Sequence, residues 1–294
     1  MFEIESTGRK IFNVVNIILM VGLAVMTAYP MLYVIFASFS EPTQFIGFEG
    51  ILLKPLGFYT EAYELVFRDS RIFTGYMNTL FIVVVGVTVN ILVTSLGAYV
   101  LSRKSFVYRN AVMVFIMVTM YVSGGLIPFY LLVKGLHLDG TLWSLILPNA
   151  ISTFNLIIMR TAFEGVPASL EESAKIDGAS HWTIMFRIVL PLSMPTVAVM
   201  ILYYGVGHWN SWFNASIFLQ GKPQLYPLQL VLREILIQNT ATDMTLATES
   251  GDVSLVTEII KYAVIVVATL PILVLYPFLQ KYFQKGVMIG AIKG

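Results

Sequence analysis

Apolar residues run along this chain in long blocks, separated by shorter stretches rich in polar residues, Gly and Pro. A hydrocarbon core about 30 Å thick needs about 20 apolar residues as helix. Six blocks reach that length, near 11–37, 75–101, 110–133, 141–162, 193–218 and 257–281. They predict an all-α integral membrane protein with six transmembrane helices and both termini on one side. Between the fourth and fifth blocks lies a contrasting piece, GVPASLEESAKIDGASHWTIMFRIVLPLSMP, from Gly165 to Pro195. Ser169 and Glu172 form an S-x-x-E capping box, which predicts a helix start. Asp177 and Gly178 are a turn pair that stops it. A second helix from about Ser180 to Leu190 then leads to Pro191 and Pro195, where the fifth span begins. Two further polar stretches, 38–74 and 219–256, predict loops on the opposite side. KPQLYPLQLVLREIL in the second reads as a turn followed by an amphipathic helix. No repeat of 20 to 50 residues interrupts this order, so residues 1–294 are expected to form one membrane domain.

Composition agrees with the pattern: 57% of the 294 residues are hydrophobic, 12% are charged, and mean hydropathy is +0.80, too little polar surface for an ordinary soluble globule. Charge then orients the chain, because short cytoplasmic loops retain Lys and Arg. One side carries Arg9, Lys10, Arg103, Lys104, Arg109, Arg160, Lys175, Arg187, Lys281, Lys285 and Lys293, eleven in all. The other carries six, namely Lys54, Arg68, Arg71, Lys134, Lys222 and Arg233, with Lys261 at the outer end of the last span. The termini and the 165–195 segment are therefore expected in the cytoplasm, and 38–74 and 219–256 outside. The first block is too long for a signal-peptide core and lacks a small-x-small cleavage site, so it reads as an uncleaved span. A net charge of +1 and the absence of basic runs give no reason to expect nucleic acid. Cysteine is absent, which excludes disulfides, thiolate metal sites and a Cys nucleophile.

Ionisable residues deep in a bilayer usually mark an ion path or a proton relay. The six blocks hold no Asp, Glu, Lys or Arg near a midpoint, and His208 is the one titratable group expected at depth, more as a hydrogen-bonded interior residue than as a proton carrier. With His137 and His181 it completes the three histidines, and no HExxH or carboxylate cluster surrounds them, so no metal site is expected. Pro30, Pro128, Pro148, Pro271 and Pro277 can kink their helices, and Gly124 and Gly125 add a flexible point. Kinked helices suit a path through a bundle, although proline is also simply tolerated in membrane helices.

The motif P-x-x-L-x-E-[AS]-A-x-x-D-G-A followed by L-P-L-x-x-P is carried here by Pro167, Leu170, Glu172, Ser173, Ala174, Asp177, Gly178, Ala179, Leu190, Pro191, Leu192 and Pro195. It resembles the EAA motif of the membrane subunits of bacterial ABC importers, with Ser173 in place of the second letter of the motif's name. Tyr76 to Leu80, the SGGLIPFYLLVKGLHL run from Ser123, HWNSWFN from His208 and YPFLQKYFQKGVMIGAIKG from Tyr276 extend the likeness over nearly the whole length, toward the carbohydrate-uptake branch. Within it the chain is similar to MalG-type subunits, and closer still to LplC-like permeases associated with oligosaccharides.

That resemblance implies a type I importer permease in the bacterial cytoplasmic (inner) membrane. Its partners would be a homologous second permease subunit, two ATP-binding subunits, an extracytoplasmic solute-binding protein, an oligosaccharide cargo and membrane lipid. The 165–195 segment would dock on an ATPase through Glu171, Glu172, Ser173, Ala174, Asp177, Gly178 and Ala179, with Glu172 as contact and Gly178 as hinge. The tail, with Lys285, Gly286, Lys293 and Gly294, would reach the ATPase pair. No G-x-x-x-x-G-K-[ST] loop occurs in the chain, so the expectation is a transport subunit rather than an enzyme, with ATP and Mg held by the partner ATPases and no cofactor of its own.

Sugars are held by aromatic faces together with amide and hydroxyl groups. Tyr203, Trp209, Asn210 and Trp212 in the fifth block and Asn155 in the fourth are the candidates for a sugar path. At helical spacing Trp209, Trp212 and Phe213 share one face, and Tyr203, Gly207 and Asn210 another. An interfacial aromatic belt with interhelical amides accounts for the same residues. The resemblance also implies that the partner permease carries most sugar contacts. Two rival readings keep the spans but change the function: an ABC permease for a peptide or an osmolyte, or an ion-coupled secondary carrier.

Overall fold

The computed structural model describes residues 7–246 and 258–274, with the side chains of 238–246 outside the description. Among the described residues every regular element is helical. They fall into two compact units, one of residues 1–69 with 234–269, the other of 70–233 with 270–294.

In the first unit α1 (Thr7–Ser38) runs through Pro30 without interruption and exposes apolar side chains from Ile11 to Leu32. Its last turn is buried at Ala37 and Ser38. There the chain folds back through α2 (Pro42–Ile46) and α3 (Glu61–Arg68), which occupy the predicted 38–74 loop. Serines satisfy the backbone at the turn: Ser40 Oγ accepts from the Leu56 amide at 3.0 Å, and Ser38 Oγ shares a hydrogen bond with Tyr63 Oη at 2.7 Å. Tyr33, Phe45 and Tyr262 pack as a ring cluster with centroids 5.4–6.2 Å apart.

The second unit is organised on α4 (Ser70–Ser102), which like α1 is long and apolar enough to cross a membrane. Its buried residues include Gly75, Thr79, Ile82, Gly86, Asn90, Thr94 and Ala98, a stripe at intervals of three or four. Small and hydroxyl or amide residues at that spacing let helices approach closely and hydrogen-bond across the seam. The third predicted span is two helices, α5 (Arg109–Val118) and α6 (Leu126–Gly135), parted by residues 119–125; the break ends at Gly125, whose φ of 83° only glycine adopts freely, and Pro128 lies inside α6.

The fourth predicted span is also divided. α7 (Trp143–Ile146) and a 3-10 turn at Leu147–Asn149, which holds Pro148, meet α8 (Thr153–Glu164) at 52°. Next come α9 (Ala168–Ile176) and α10 (His181–Ile184), the latter continued by a π-helical stretch at Met185–Val189 and by α11 (Leu190–Leu192). At Ser193, between the two prolines, the chain turns 84° into α12 (Met194–Trp209). The fifth predicted span then breaks at Asn210 before α13 (Phe213–Phe218). The predicted turn and helix of the 219–256 loop are a 3-10 turn at Pro223–Leu225 and α14 (Leu228–Leu246). α15 (258–274) continues through Pro271, whereas Pro277 lies outside the described residues.

α4 packs on α8 and α12. One core gathers Tyr99, Leu156, Met159, Phe163, Ile184, Met200 and their neighbours; a second gathers Ile82, Val133, Ile146, Phe218 and Leu230.

Candidate functional site

Two constructions in the second unit concentrate polar groups. The first is a cavity of about 500 Å³ where the 52° bend of α7 and α8 faces the end of α12. Leu145, Asn149, Ile151, Ser152, Asn155, Tyr203, Tyr204, Gly207, His208, Ser211 and Asn214 line it. Its back wall is a hydrogen-bonded network rooted in α4. Asn90 Nδ2 donates to the Asn149 carbonyl at 2.7 Å, which fixes the direction of the amide. Its Oδ1 therefore accepts from His208 Nε2 at 2.7 Å, leaving Nδ1 as the acceptor of a neutral ring. Thr94 Oγ1 and Tyr204 Oη lie 2.7 Å apart, and Tyr204 Oη accepts from the Ser152 amide at 3.0 Å. The bend thus frees backbone groups and the network satisfies them, which is how irregular backbone is tolerated at membrane depth.

Of the predicted sugar-path residues, Asn155 and Tyr203 line this cavity. Trp209 is buried with its ring 6.3 Å from that of Tyr76, and Asn210 ends α12 as its C-cap. Trp212 stacks instead under Arg233, whose guanidinium lies 4.1 Å from its ring centroid. The helical-wheel grouping of Trp209 with Trp212 and Phe213 fails because the helix breaks between them. Asn149, Ser152 and Ser211 were missed, since only the bend brings them to one wall.

The second construction is the 165–195 segment. The capping box is not formed: α9 begins at Ala168 with Pro167 as N-cap and no side-chain capping bond, so Ser169 already lies inside the first turn. With Pro167 as N-cap, its φ fixed by the ring, α9 starts two residues before the Leu170 start that a Ser169 cap would give. The predicted stop does form. Gly178 adopts φ 79°, the Ala179 amide donates to the Ala174 carbonyl at 2.9 Å, and the Gly178 amide to Lys175 at 3.0 Å, a Schellman turn. Ser180 then caps α10 by accepting from the Thr183 amide.

Glu171 turns inward, 7% exposed, and its carboxylate pairs with the Arg103 guanidinium. Ala174 and Ala179 pack against the core beside it. Glu172, Ser173, Asp177 and Gly178 are exposed, together with Leu170, Ile176, Trp182 and Phe186, the last two stacked at 6.0 Å. Ile176 is 86% exposed and Trp182 62%, an apolar face without a covering element among the described residues. Burial pulls the Arg103 guanidinium down from its ordinary value, while Tyr99 and Glu164 pull it back up. Lys285, Gly286, Lys293 and Gly294 lie outside the described residues.

The profile of the family described as binding-protein-dependent transport system inner membrane component matches residues 93–289. The chain is similar to the polygalacturonan/rhamnogalacturonan transport system permease protein YtcP of Bacillus subtilis (strain 168), 39% identical over 286 residues, 97% of this chain and 99% of the relative. It is also similar to protein LplC of the same organism, 41% identical over 290 residues, 99% of this chain and 97% of the relative. A chain in the crystal structure of a bacterial ABC transporter involved in the import of the acidic polysaccharide alginate superimposes with a TM-score of 0.86 at 31% identity, over 96% of this chain and 100% of that one. An exposed EAA-like helix pair, an all-helical permease architecture and these full-length likenesses have one reading: the chain belongs to the binding-protein-dependent transport system inner membrane components, the permease subunits of ABC importers.

Proposed function

We propose that the chain is one of two homologous membrane subunits of an importer that takes an acidic, uronate-containing oligosaccharide from an extracytoplasmic binding protein. Two ATPase subunits, which hold ATP and Mg, drive it from below. The observation that carries this reading is the segregation of α9 into an inward face, with Glu171 and Ala174, and an exposed face, with Leu170, Glu172 and Ile176. The exposed face continues onto Trp182 and Phe186 and suits docking in an ATPase cleft. In this reading the six spans are α1, α4, α5 with α6, α7 with α8, α12 with α13, and α15, and both termini and α9–α10 are cytoplasmic. The names of the relatives support the cargo class. The cavity lining bears amides, hydroxyls, an imidazole and a tyrosine pair but no Asp, Glu, Lys or Arg, so a saccharide would be met there by neutral donors and acceptors.

Reconstitution with the partner permease, the ATPases and the binding protein tests the reading. Uptake of oligogalacturonide into proteoliposomes is expected only with ATP inside and all partners present. Uptake by this chain alone, without ATPases, would instead establish the secondary carrier. Because the chain has no native cysteine, sidedness is directly measurable. Ile176→Cys is expected to react with an impermeant maleimide only from the cytoplasmic side and Gln224→Cys only from outside. Labelling in the opposite sense would invert the topology.

A further inference from the structure

Arg103, the first residue after α4, occupies a junction that the sequence motif does not include. Its Nη1 pairs with Glu171 on α9, its Nη2 donates to the Phe163 carbonyl near the end of α8 at 2.9 Å, and Nε and Nη2 both reach Ser102 Oγ, at 3.1 and 3.0 Å. Its face lies 4.8 Å from the Tyr99 ring centroid on α4. Tyr99 Oη in turn lies 3.2 Å from His181 Nδ1 at the start of α10. Tyr99, Ser102, Phe163 and Glu171 are all buried, so these bonds act at low dielectric, where a fully satisfied network rigidifies its members. One planar fork therefore ties together the ends of α4, α8 and α9, and the tyrosine beside it ties in α10.

We propose that Arg103 is the positioning residue that makes α4 and the docking helices α9 and α10 move as one lever between the ATPase contact and the cavity. The inference rests on the docking reading above. α4 carries both ends of that lever: Arg103 follows its last turn, and Asn90 and Thr94 build the cavity wall. From Ser102 to Asn90 is roughly 18 Å of helix at about 1.5 Å per residue. A displacement of α9 reaches the His208 and Tyr204 bonds through that rigid rod. Stability alone explains such a junction poorly, because a buried ion pair is often matched or bettered by apolar residues of similar volume. The fork geometry has its own use: lysine keeps the charge but cannot serve Glu171, Phe163 and Ser102 together.

The test uses the complete complex in proteoliposomes and reads the ratio of binding-protein-stimulated to basal ATP hydrolysis, together with uptake. Arg103→Lys and the double variant Arg103→Met/Glu171→Met are both made, the second removing the pair without leaving a lone buried charge. Both are expected to assemble with the partner subunits, with the stimulation ratio falling by about tenfold, within the usual range of coupling between sites. Wild-type stimulation in the assembled double variant overturns the proposal, and so does failure of both variants to assemble, which would make the junction a folding element only. Glu172→Lys is run in parallel. If it keeps full transport, the docking reading itself fails; if it loses transport while Arg103→Lys does not, only the lever is wrong.

Discussion

Replacing Glu172 by lysine is expected to leave the subunit inserted at wild-type abundance and to abolish uptake. Glu172 is exposed on α9 and has no hydrogen-bond or ion-pair partner among the described residues, so its removal takes nothing from the fold, and surface changes of that kind cost within about 0.5 kcal/mol. Reversing a charge that becomes desolvated at a docking interface loses about 2–5 kcal/mol, a factor of at least about thirty in binding. Its neighbour supplies the contrast. Glu171→Lys sets a second cation in the buried Glu171 position against half-buried Arg103, and breaking such a pair costs about 3–5 kcal/mol of stability, so that variant is expected to lose the protein rather than its coupling. Western blots of membranes beside uptake assays separate the two. Wild-type uptake with wild-type stimulated ATP hydrolysis in Glu172→Lys would sink the docking role.

The second large effect is expected at Gly86 on α4, which lies against His208 of α12. A Cβ there would stand 2.6 Å from His208 Nε2 and 3.0 Å from two ring carbons. The imidazole cannot swing aside at no cost, because Asn90 holds the same nitrogen at 2.7 Å. Gly86→Val therefore pushes α12 away and takes the Asn90–His208 and Thr94–Tyr204 bonds with it. Overpacking costs about 1–3 kcal/mol, and each interhelical hydrogen bond adds about 0.6–2. The expected result is a complex that melts at lower temperature in detergent and is recovered in reduced yield. His208→Ala in the same chain removes the ring that the new side chain meets and is expected to restore part of the loss. A Gly86→Val complex with unchanged melting would show that the seam yields more easily than this geometry allows.

Much of this architecture was legible from the order of residues. Long apolar blocks marked α1 and α4 nearly to their ends, Gly178 stopped α9, and the turn before α14 stood where Lys222 and Pro223 announced it. The phase of α9 was not legible. Glu171 and Glu172 are chemically alike and stand about 100° apart on the helix, so which one faces the core is decided by how α9 packs against Arg103, a tertiary contact that local sequence does not show. Gly124, Gly125 and Pro148 marked flexible points in the third and fourth blocks, but the division of the third, fourth and fifth blocks into separate helices was hidden for another reason. In a membrane protein lipid-facing and core-facing positions are both apolar, so hydrophobic periodicity cannot tell a straight span from two shorter helices. The cavity shares that cause, since Asn90, Asn149 and Ser152 converge only because α7 and α8 meet at 52°.

The bare face of α9 and α10 also bears on how such a subunit can be produced. Ile176, Trp182 and Phe186 stand open to solvent in the isolated chain, and bulky apolar groups so displayed are adhesive. A copy synthesised in excess of its partners is therefore expected to aggregate or to be degraded, and pulse-chase labelling with and without co-expressed partners would measure that loss.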